Sequence, residues 1–200
     1  MKVIKAGYEI LTKLDREEIL KSIEIAGRTC YKSEDRITED SASKFVEMVC
    51  KRQHLSVIEH KSMTVRFIVD RGVSHELVRH RISSFSQEST RYVNYKGEME
   101  FIEPSFWGEI GEMSQGAWLV SMEDSERRYR NMIKFGCKPE QARSVLPNSL
   151  KTEIVMTANF RQWKEVFKQR CSPEAHPQMR EVMLPLRKEM QKILPEIFGV

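Results

Sequence analysis

The sequence lacks the features that several classes of protein require. No apolar run approaches the roughly 20 residues of a membrane-spanning helix, and the start, MKVIKAGYEI, lacks the long apolar segment of a secretory signal. The cysteines are widely separated, form no C-x-x-C pair and fit reduced cytosolic thiols better than a disulfide framework: Cys30, Cys50, Cys137 and Cys171. We therefore expect a cytoplasmic protein without a membrane segment.

The commonest motifs for metals, phosphates and thiol catalysis are absent as well. The five histidines include no i, i+4 pair, and no cysteine lies at a ligand spacing from any of them, so no metal site is predicted. There is no P-loop and no G-x-G-x-x-G turn. No cysteine has an activating base that the sequence reveals, which favours four ordinary thiols over a nucleophile.

What is present fits one globular domain. The chain has 200 residues, 40% of them hydrophobic, and contains no internal repeat, low-complexity tract or Gly/Ser-rich linker. We expect a single domain over residues 1–200. The formal net charge of +4 fits anionic ligands but is too small to indicate nucleic-acid wrapping by itself.

Periodicity predicts an α+β fold, a small antiparallel sheet with helices packed on it. The clearest strand is 62–70, which alternates apolar residues, and 98–104 is expected to pair antiparallel with it after a polar loop. A helix is expected over 15–31 with Asp15 as its N-cap. Residues 152–160 fit either a strand or a buried helix turn. Other helices are expected at 38–52, 72–81, 112–135, 138–147, 161–170 and 172–194, the last bent near Pro185.

The stretch RHRISSFSQESTRY, residues 79–92, is too cationic for an ordinary loop and too polar for a core element. Arginine presents a planar fork of donors that matches phosphate and stays charged near neutral pH. Hydroxyls such as Ser86, Ser89 and Thr90 could complete an anion site. The same donors could instead grip a nucleic-acid backbone. A third interpretation is a solvated loop whose arginines pair with Glu76 and Glu88.

The order of residues in this stretch resembles the signature of flavin-dependent thymidylate synthases. Arg79-His80-Arg81 is followed after seven residues by Ser89 and then by Arg91-Tyr92. Upstream, HLSVIEH (54–60) matches the family pattern. Three stretches downstream also match the family pattern at about the family spacing. They are ARSVLP (142–147), TANFR (157–161), and Gln169-Arg170 followed by AHPQMR (175–180). The resemblance runs from about residue 54 to 182.

This resemblance implies FAD-dependent reductive methylation of deoxyuridine monophosphate (dUMP) to thymidine monophosphate (dTMP). Methylenetetrahydrofolate would supply the carbon and NADPH the electrons, without a cysteine nucleophile. The family further implies a homotetramer whose active sites draw on several subunits. One alternative is a related flavin-dependent alkyl- or hydroxymethyltransferase for another pyrimidine nucleotide. A second, of another class, is a module that binds the phosphate backbone of nucleic acid, but the stretch offers only Phe85 and Tyr92 for base stacking.

The resemblance also assigns roles to residues. Arg170 matches the arginine that activates the uracil as a fixed positive charge, since its pKa is too high for a base. His54 matches a position near the flavin and folate. The expected FAD contacts are Ser56, Arg79, His80, Arg81, Gln87, Asn159, Phe160, Arg161 and Glu165. The expected nucleotide contacts are Glu76, Leu77, Val78, Arg79, Gln87, Glu88, Ser89, Thr90, Arg91, Arg143 and Arg170.

Three positions depart from the family pattern. Glu76 stands where a glutamine is common, Gln87 where a glutamate is common, and Glu165 where an asparagine contacts FAD. A carboxylate at position 76 would repel a phosphate dianion unless an arginine intervenes or the side chain turns away. These departures bear on which pyrimidine nucleotide is the substrate.

Overall fold

The computed structural model of the chain describes residues 1–93, 95 and 97–200. In its two longest strands every second side chain is buried, because alternate residues of a strand point to opposite faces. The prediction of a strand over 62–70 is confirmed, and the ambiguous segment 152–160 is also a strand. The strands are β1 (Lys2–Ile4), β2 (Gly7–Ile10), β3 (Ser62–Asp70), β4 (Ser84–Gln87), β5 (Glu100–Ile102) and β6 (Lys151–Asn159).

Four of these strands form a sheet in the order β2-β3-β6-β4, while β1 and β5 pair in parallel, with Val3 opposite Phe101. The expectation that 98–104 pairs with β3 is therefore wrong. Alternation identifies the two faces of a strand but not its partner, and both edges of β3 are occupied by β2 and β6. The expected polar loop after residue 81 also needs correction, because β4 lies inside it.

Helix starts follow capping side chains. The Asp15 carboxylate accepts the Glu18 N–H at 3.1 Å, as predicted, and His176 Nδ1 accepts the Gln178 N–H at 3.3 Å. Pro185 lies inside the closing long helix. The helices are α1 (Arg16–Tyr31), α2 (Ser41–Lys51), α3 (Arg71–Leu77), α4 (Glu112–Lys134), α5 (Pro139–Ala142), α6 (Phe160–Arg170), α7 (Pro177–Ile193) and α8 (Pro195–Phe198). Short 3₁₀ helices occupy Glu34–Arg36, Leu55–His60, Trp107–Glu109 and Arg143–Val145.

The chain divides into two compact units. The first unit comprises residues 1–8, 66–80 and 85–155, and the second comprises 9–65, 81–84 and 156–200. The α+β class with a small antiparallel sheet and packed helices is confirmed. The single domain over 1–200 stays a prediction, because compactness alone does not decide whether the units fold together.

Each unit has its own apolar core. In the first unit Phe101 and Leu150 are fully buried with Tyr129, whose ring meets Tyr95 edge to face at 5.8 Å. In the second unit α6 supplies Trp163, which is fully buried and whose Nε1–H donates to the Met63 carbonyl at 3.0 Å. Among the helices that the structure describes, none is long and apolar enough to cross a membrane.

Candidate active site

The predicted nucleotide segment, Gln87–Arg91, begins at the end of β4 in the first unit. The Gln87 amide Nε2 donates to Ser74 Oγ at 2.9 Å and to Thr152 Oγ1 at 3.2 Å. Both partners belong to the same unit, and Thr152 is fully buried. Gln87 therefore anchors the start of the segment from within the protein.

Glu88, the next residue, is also held by the protein itself. Its carboxylate accepts the Tyr95 hydroxyl at 3.0 Å and pairs with Lys151 Nζ at 3.4 Å, while Lys151 also pairs with Glu153 at 2.8 Å. Burial and then the Glu88 carboxylate raise the pKa of Tyr95, so the phenol stays a protonated donor. Burial opposes the charged form of Lys151, yet Glu153 and Glu88 raise its pKa.

The segment ends in a turn, and the guanidinium groups of Arg91 and Arg143 are exposed there. The Ser89 carbonyl accepts the Val93 N–H at 3.0 Å, and Ser89 Oγ accepts the Arg91 N–H at 3.3 Å. Thr90 is buried and its Oγ1 accepts Arg143 Nη1 at 3.4 Å, so the structure brings Arg143 to the segment. The Arg91 guanidinium lies 5.4 Å above the Tyr92 ring and has no carboxylate partner among the described residues.

The residues before the basic stretch lie on α3 and the turn after it. Asp70 Oδ1 accepts the Val73 N–H at 2.8 Å, which caps α3 directly after β3. Leu77 is fully buried, whereas Val78 and Arg79 are exposed. Glu76, which departs from the family pattern, is half-buried, and His80 is buried at 5% exposure.

Sequence reasoning missed Arg71 in the first turn of α3. Its Nη1 is buried without a hydrogen-bond partner among the described residues, and its charge acts on the Tyr95 phenol. The sequence does contain a signal for Arg71. A cation at a helix N-terminus is unfavourable because it opposes the helix dipole, so an arginine at this position indicates a role other than helix stability. An anionic ligand would satisfy the open nitrogen.

In the second unit, three predicted cofactor-site residues line one cavity of about 300 Å³, named here the His54 cavity. Gln53, at the end of α2, has a left-handed φ of 59°, which turns the chain so that His54 and Ser56 both reach the cavity. Arg161 enters from the first turn of α6, with Nη1 2.5 Å from Glu59 Oε1. The rest of the lining is Gly27, Cys30, Tyr31, Phe45, Val49, Leu55 and Val57.

The other residues predicted to contact the flavin either have contacts within the protein or are exposed. Asn159 Oδ1 accepts the Gln162 N–H at 2.8 Å and so caps the helix. Phe160 is fully buried and meets Phe198 edge to face at 5.7 Å. Glu165 is exposed, as is Arg81. Contacts of these residues with FAD stay predictions.

Arg170 lies half-buried in the last turn of α6. It follows Arg161 by about 2.5 helical turns, which places the two side chains on opposite sides of this helix. The residue assigned to the uracil and the residue of the His54 cavity therefore use different faces of α6.

The cysteines give no sign of an activated thiol. Burial raises the pKa of Cys50 and of Cys171, which keeps both protonated near neutral pH. No group of three His, Cys, Asp or Glu side chains in the described part of the chain lies together as metal ligands would. The metal-free site stays a prediction.

The sequence profile of the family described as thymidylate synthase complementing protein matches residues 12–196. A protein of Corynebacterium glutamicum named flavin-dependent thymidylate synthase is 31% identical over 97% of this chain and 83% of its own length. One of the same name from Geobacter sulfurreducens is 30% identical over 88% of this chain and 79% of its own. The solved structure of PolB from Streptomyces cacaoi, described as a UMP/dUMP methylase bound with 5-Br dUMP, has a TM-score of 0.81 at 22% identity, covering 100% of this chain and 96% of that one. At that identity PolB supports the fold alone.

Proposed function

The chain belongs to the family of flavin-dependent thymidylate synthases, and we propose that it catalyses the FAD-dependent reductive methylation of dUMP to dTMP. One observation carries the proposal: the structure gathers His54, Ser56 and Arg161 at one cavity and, in the other unit, brings Arg143 to the Gln87–Arg91 segment. Residues far apart in sequence meet in each case, which a solvated basic loop would not require.

The net reaction fixes what the protein must hold. C5 of the uracil loses a proton and gains a carbon from methylenetetrahydrofolate. NADPH supplies the hydride equivalent that reduces this carbon to a methyl group, and tetrahydrofolate leaves. Bound FAD would carry those electrons between the two co-substrates. The chain's own residues must then bind, orient and polarise the nucleotide.

The lining of the His54 cavity fits part of a flavin. Phe45, Val49 and Val57 form an apolar wall, while Ser56 and Arg161 offer donors at its edge. A dinucleotide is larger than this cavity of about 300 Å³. The remainder of FAD would contact other predicted residues, and the homotetramer we propose would supply some of them from neighbouring subunits.

The nucleotide is held by the exposed end of the Gln87–Arg91 segment. Arg91 and Arg143 offer planar forks of donors to its phosphate, and Ser89 offers a hydroxyl. Gln87 and Glu88 were expected to contact the nucleotide directly. In the structure the Gln87 side chain binds Ser74 and Thr152, and the Glu88 side chain binds Tyr95 and Lys151. We propose that these two residues set the shape of the segment.

Arg170 acts as the fixed positive charge that makes C5 nucleophilic. A guanidinium beside the uracil stabilises negative charge at N3 and O4, which raises the electron density at C5. It cannot remove a proton near neutral pH. No thiol takes part, which agrees with the raised pKa of Cys50 and Cys171.

Two measurements test the proposal. The purified protein, as isolated or after addition of FAD, is expected to show the visible flavin spectrum. With FAD, NADPH and methylenetetrahydrofolate, it is expected to release tritium from C5-labelled dUMP. A protein that takes up no FAD, yet binds oligonucleotides with a strong salt dependence, would instead be a nucleic-acid-binding module.

A second candidate has one specific observation in its favour: Glu76, half-buried beside the basic stretch, replaces the expected glutamine. A related enzyme acting on another pyrimidine nucleotide would bind FAD but release tritium from labelled UMP, not from dUMP. We also place the reaction in the cytoplasm, where the reduced co-substrates are available.

A further inference from the structure

A second, larger cavity in the same unit is lined mostly by side chains to which the proposed reaction assigns no role. It measures about 850 Å³ and lies against α1 and α2, and we name it the α1–α2 cavity. It shares Tyr31, Phe45, Val49 and His54 with the His54 cavity. The two cavities therefore adjoin, and a molecule in one could extend into the other.

The α1–α2 cavity is strongly cationic. Four cations line it, Arg28, Arg36, Lys44 and Arg52, against the single carboxylate of Asp40. Arg28 is neutralised by Glu24 at 2.7 Å and lies 4.8 Å above the Phe45 ring. The other three cations have no ion-pair partner among the residues that the structure describes. Unpaired cations around a cavity favour an anionic occupant.

The arrangement of these charges indicates the shape of that occupant. Lys44, Met48 and Arg52 follow at intervals of four residues, so they form a row along one face of α2 and its end. At 1.5 Å per residue, Lys44 and Arg52 are about 12 Å apart along the axis. A compact phosphate needs donors that converge on one point. A row of separated cations instead matches an extended chain that carries a charge at each repeat.

We propose that the α1–α2 cavity binds the oligo-γ-glutamyl tail of the folate co-substrate, an inference that rests on the proposed function. Each γ-glutamyl repeat carries one free carboxylate, so successive repeats would meet Lys44, Arg52 and Arg36. The thioether of Met48 and the ring of Tyr31, which is 70% exposed, offer apolar contact to the linking methylenes. The pterin end of the same molecule would then lie toward His54.

Steady-state kinetics with methylenetetrahydrofolate carrying one or four glutamates test this assignment. We expect the KM of the tetraglutamate to be about tenfold lower, because exposed ion pairs each contribute little and several must act together. In the double variant Lys44→Gln/Arg52→Gln the two KM values should become nearly equal. The KM values for the monoglutamate and for dUMP should stay as in the unsubstituted protein.

The matched control is Lys21→Gln/Lys51→Gln, which removes the same charge from exposed lysines of α1 and α2 that do not line this cavity. It should keep the tenfold preference. A preference that is absent from the unsubstituted protein, or that the control loses equally, overturns the assignment. A rise in the KM for NADPH in Lys44→Gln/Arg52→Gln, with the glutamate preference intact, also overturns it.

A binding measurement separates this assignment from the proposed function. Calorimetry with p-aminobenzoyl-tetra-γ-glutamate requires no turnover. Binding that Lys44→Gln/Arg52→Gln abolishes supports the assignment, even if the protein fails to release tritium from dUMP and the proposed function falls. An active enzyme that binds no such probe overturns the assignment and leaves the proposed function standing.

Discussion

The carboxylates around Lys151 in the first unit and the α1–α2 cavity in the second unit present charge in opposite ways. In the first unit Lys151 pairs with both Glu88 and Glu153, so the nucleotide segment is held in shape before any ligand arrives. In the second unit Lys44 and Arg52 have no ion-pair partner among the described residues. Paired charges position a loop, whereas unpaired charges around a cavity attract an anion.

The units also share one local design. β3 runs into α3 and β6 into α6 without a loop, and the caps Asp70 and Asn159 have nearly the same backbone angles. Each helix carries an arginine in its first turn, Arg71 or Arg161, against the helix dipole. The outcome differs, because Arg71 Nη1 is buried without a partner while Arg161 pairs with Glu59 at the His54 cavity. The same strand-to-helix junction thus presents a guanidinium in each unit.

The largest effect is expected from Arg170→Ala in the second unit. Removal of a charge that acts in the transition state costs about 100-fold or more in kcat. The visible spectrum and the Kd of FAD should stay near those of the unsubstituted protein, since Arg170 and Arg161 use opposite sides of α6. Lys168→Ala, exposed on the same helix, is the control. Near-native kcat in Arg170→Ala would remove Arg170 from the mechanism.

Arg91→Ala tests the first unit alone. Loss of one phosphate-binding guanidinium should weaken dUMP binding by about thirtyfold, or about 2 kcal/mol, and leave FAD binding unchanged. Titration calorimetry with each ligand gives both numbers. Arg127→Ala, an exposed arginine of α4 that pairs with Asp124, should change neither. If Arg91→Ala weakened FAD binding instead, Arg91 would belong to the flavin site and not to the dUMP site.

Gly27→Ala tests the wall that the two cavities share. An added Cβ would lie 2.6 Å from Phe45 Cε1, so the ring must shift. We expect a loss of about 1–2 kcal/mol in the free energy of unfolding, with weaker FAD binding. Gly116→Ala, in α4 with open space around it, should instead gain up to about 1 kcal/mol. Equal stability of the two variants would show that Phe45 has room to move.

The smallest expected effect is a change in thiol reactivity. Cys30 is exposed and lines the His54 cavity, whereas Cys137 is half-exposed in the first unit. FAD should slow the alkylation of Cys30 several-fold and leave that of Cys137 unchanged, as peptide mass spectrometry can follow. Protection of Cys137 alone would contradict a flavin in the His54 cavity.

The sequence predicted the elements whose signal is local. Asp15 as a cap, the alternating β3 and the long α4 each depend on neighbouring residues, and all are present in the structure. The partner of β5 depends on which strand edges remain open, which periodicity does not contain. That pairing was therefore predicted wrongly.

For the candidate site too, some features could be predicted from the sequence and others depend on contacts between distant residues. The resemblance selected His54, Ser56 and Arg161, and the structure places all three at one cavity. The resemblance could not show that Glu88 is held by Tyr95 and Lys151, because Lys151 lies 63 residues away from Glu88 in the sequence. The row of Lys44, Met48 and Arg52 was visible as an i, i+4 spacing, but its meaning depends on the cavity beside it.

The proposed reaction requires that the chain form dTMP and that it do so only with bound flavin. The protein is stripped of flavin, half is reconstituted with FAD, and both halves receive dUMP, UMP, methylenetetrahydrofolate and NADPH. Mass spectrometry then identifies the methylated nucleotide. Formation of dTMP only in the reconstituted half is the result that this account predicts. Absence of dTMP from flavin-loaded protein, or equal dTMP formation without flavin, would contradict it.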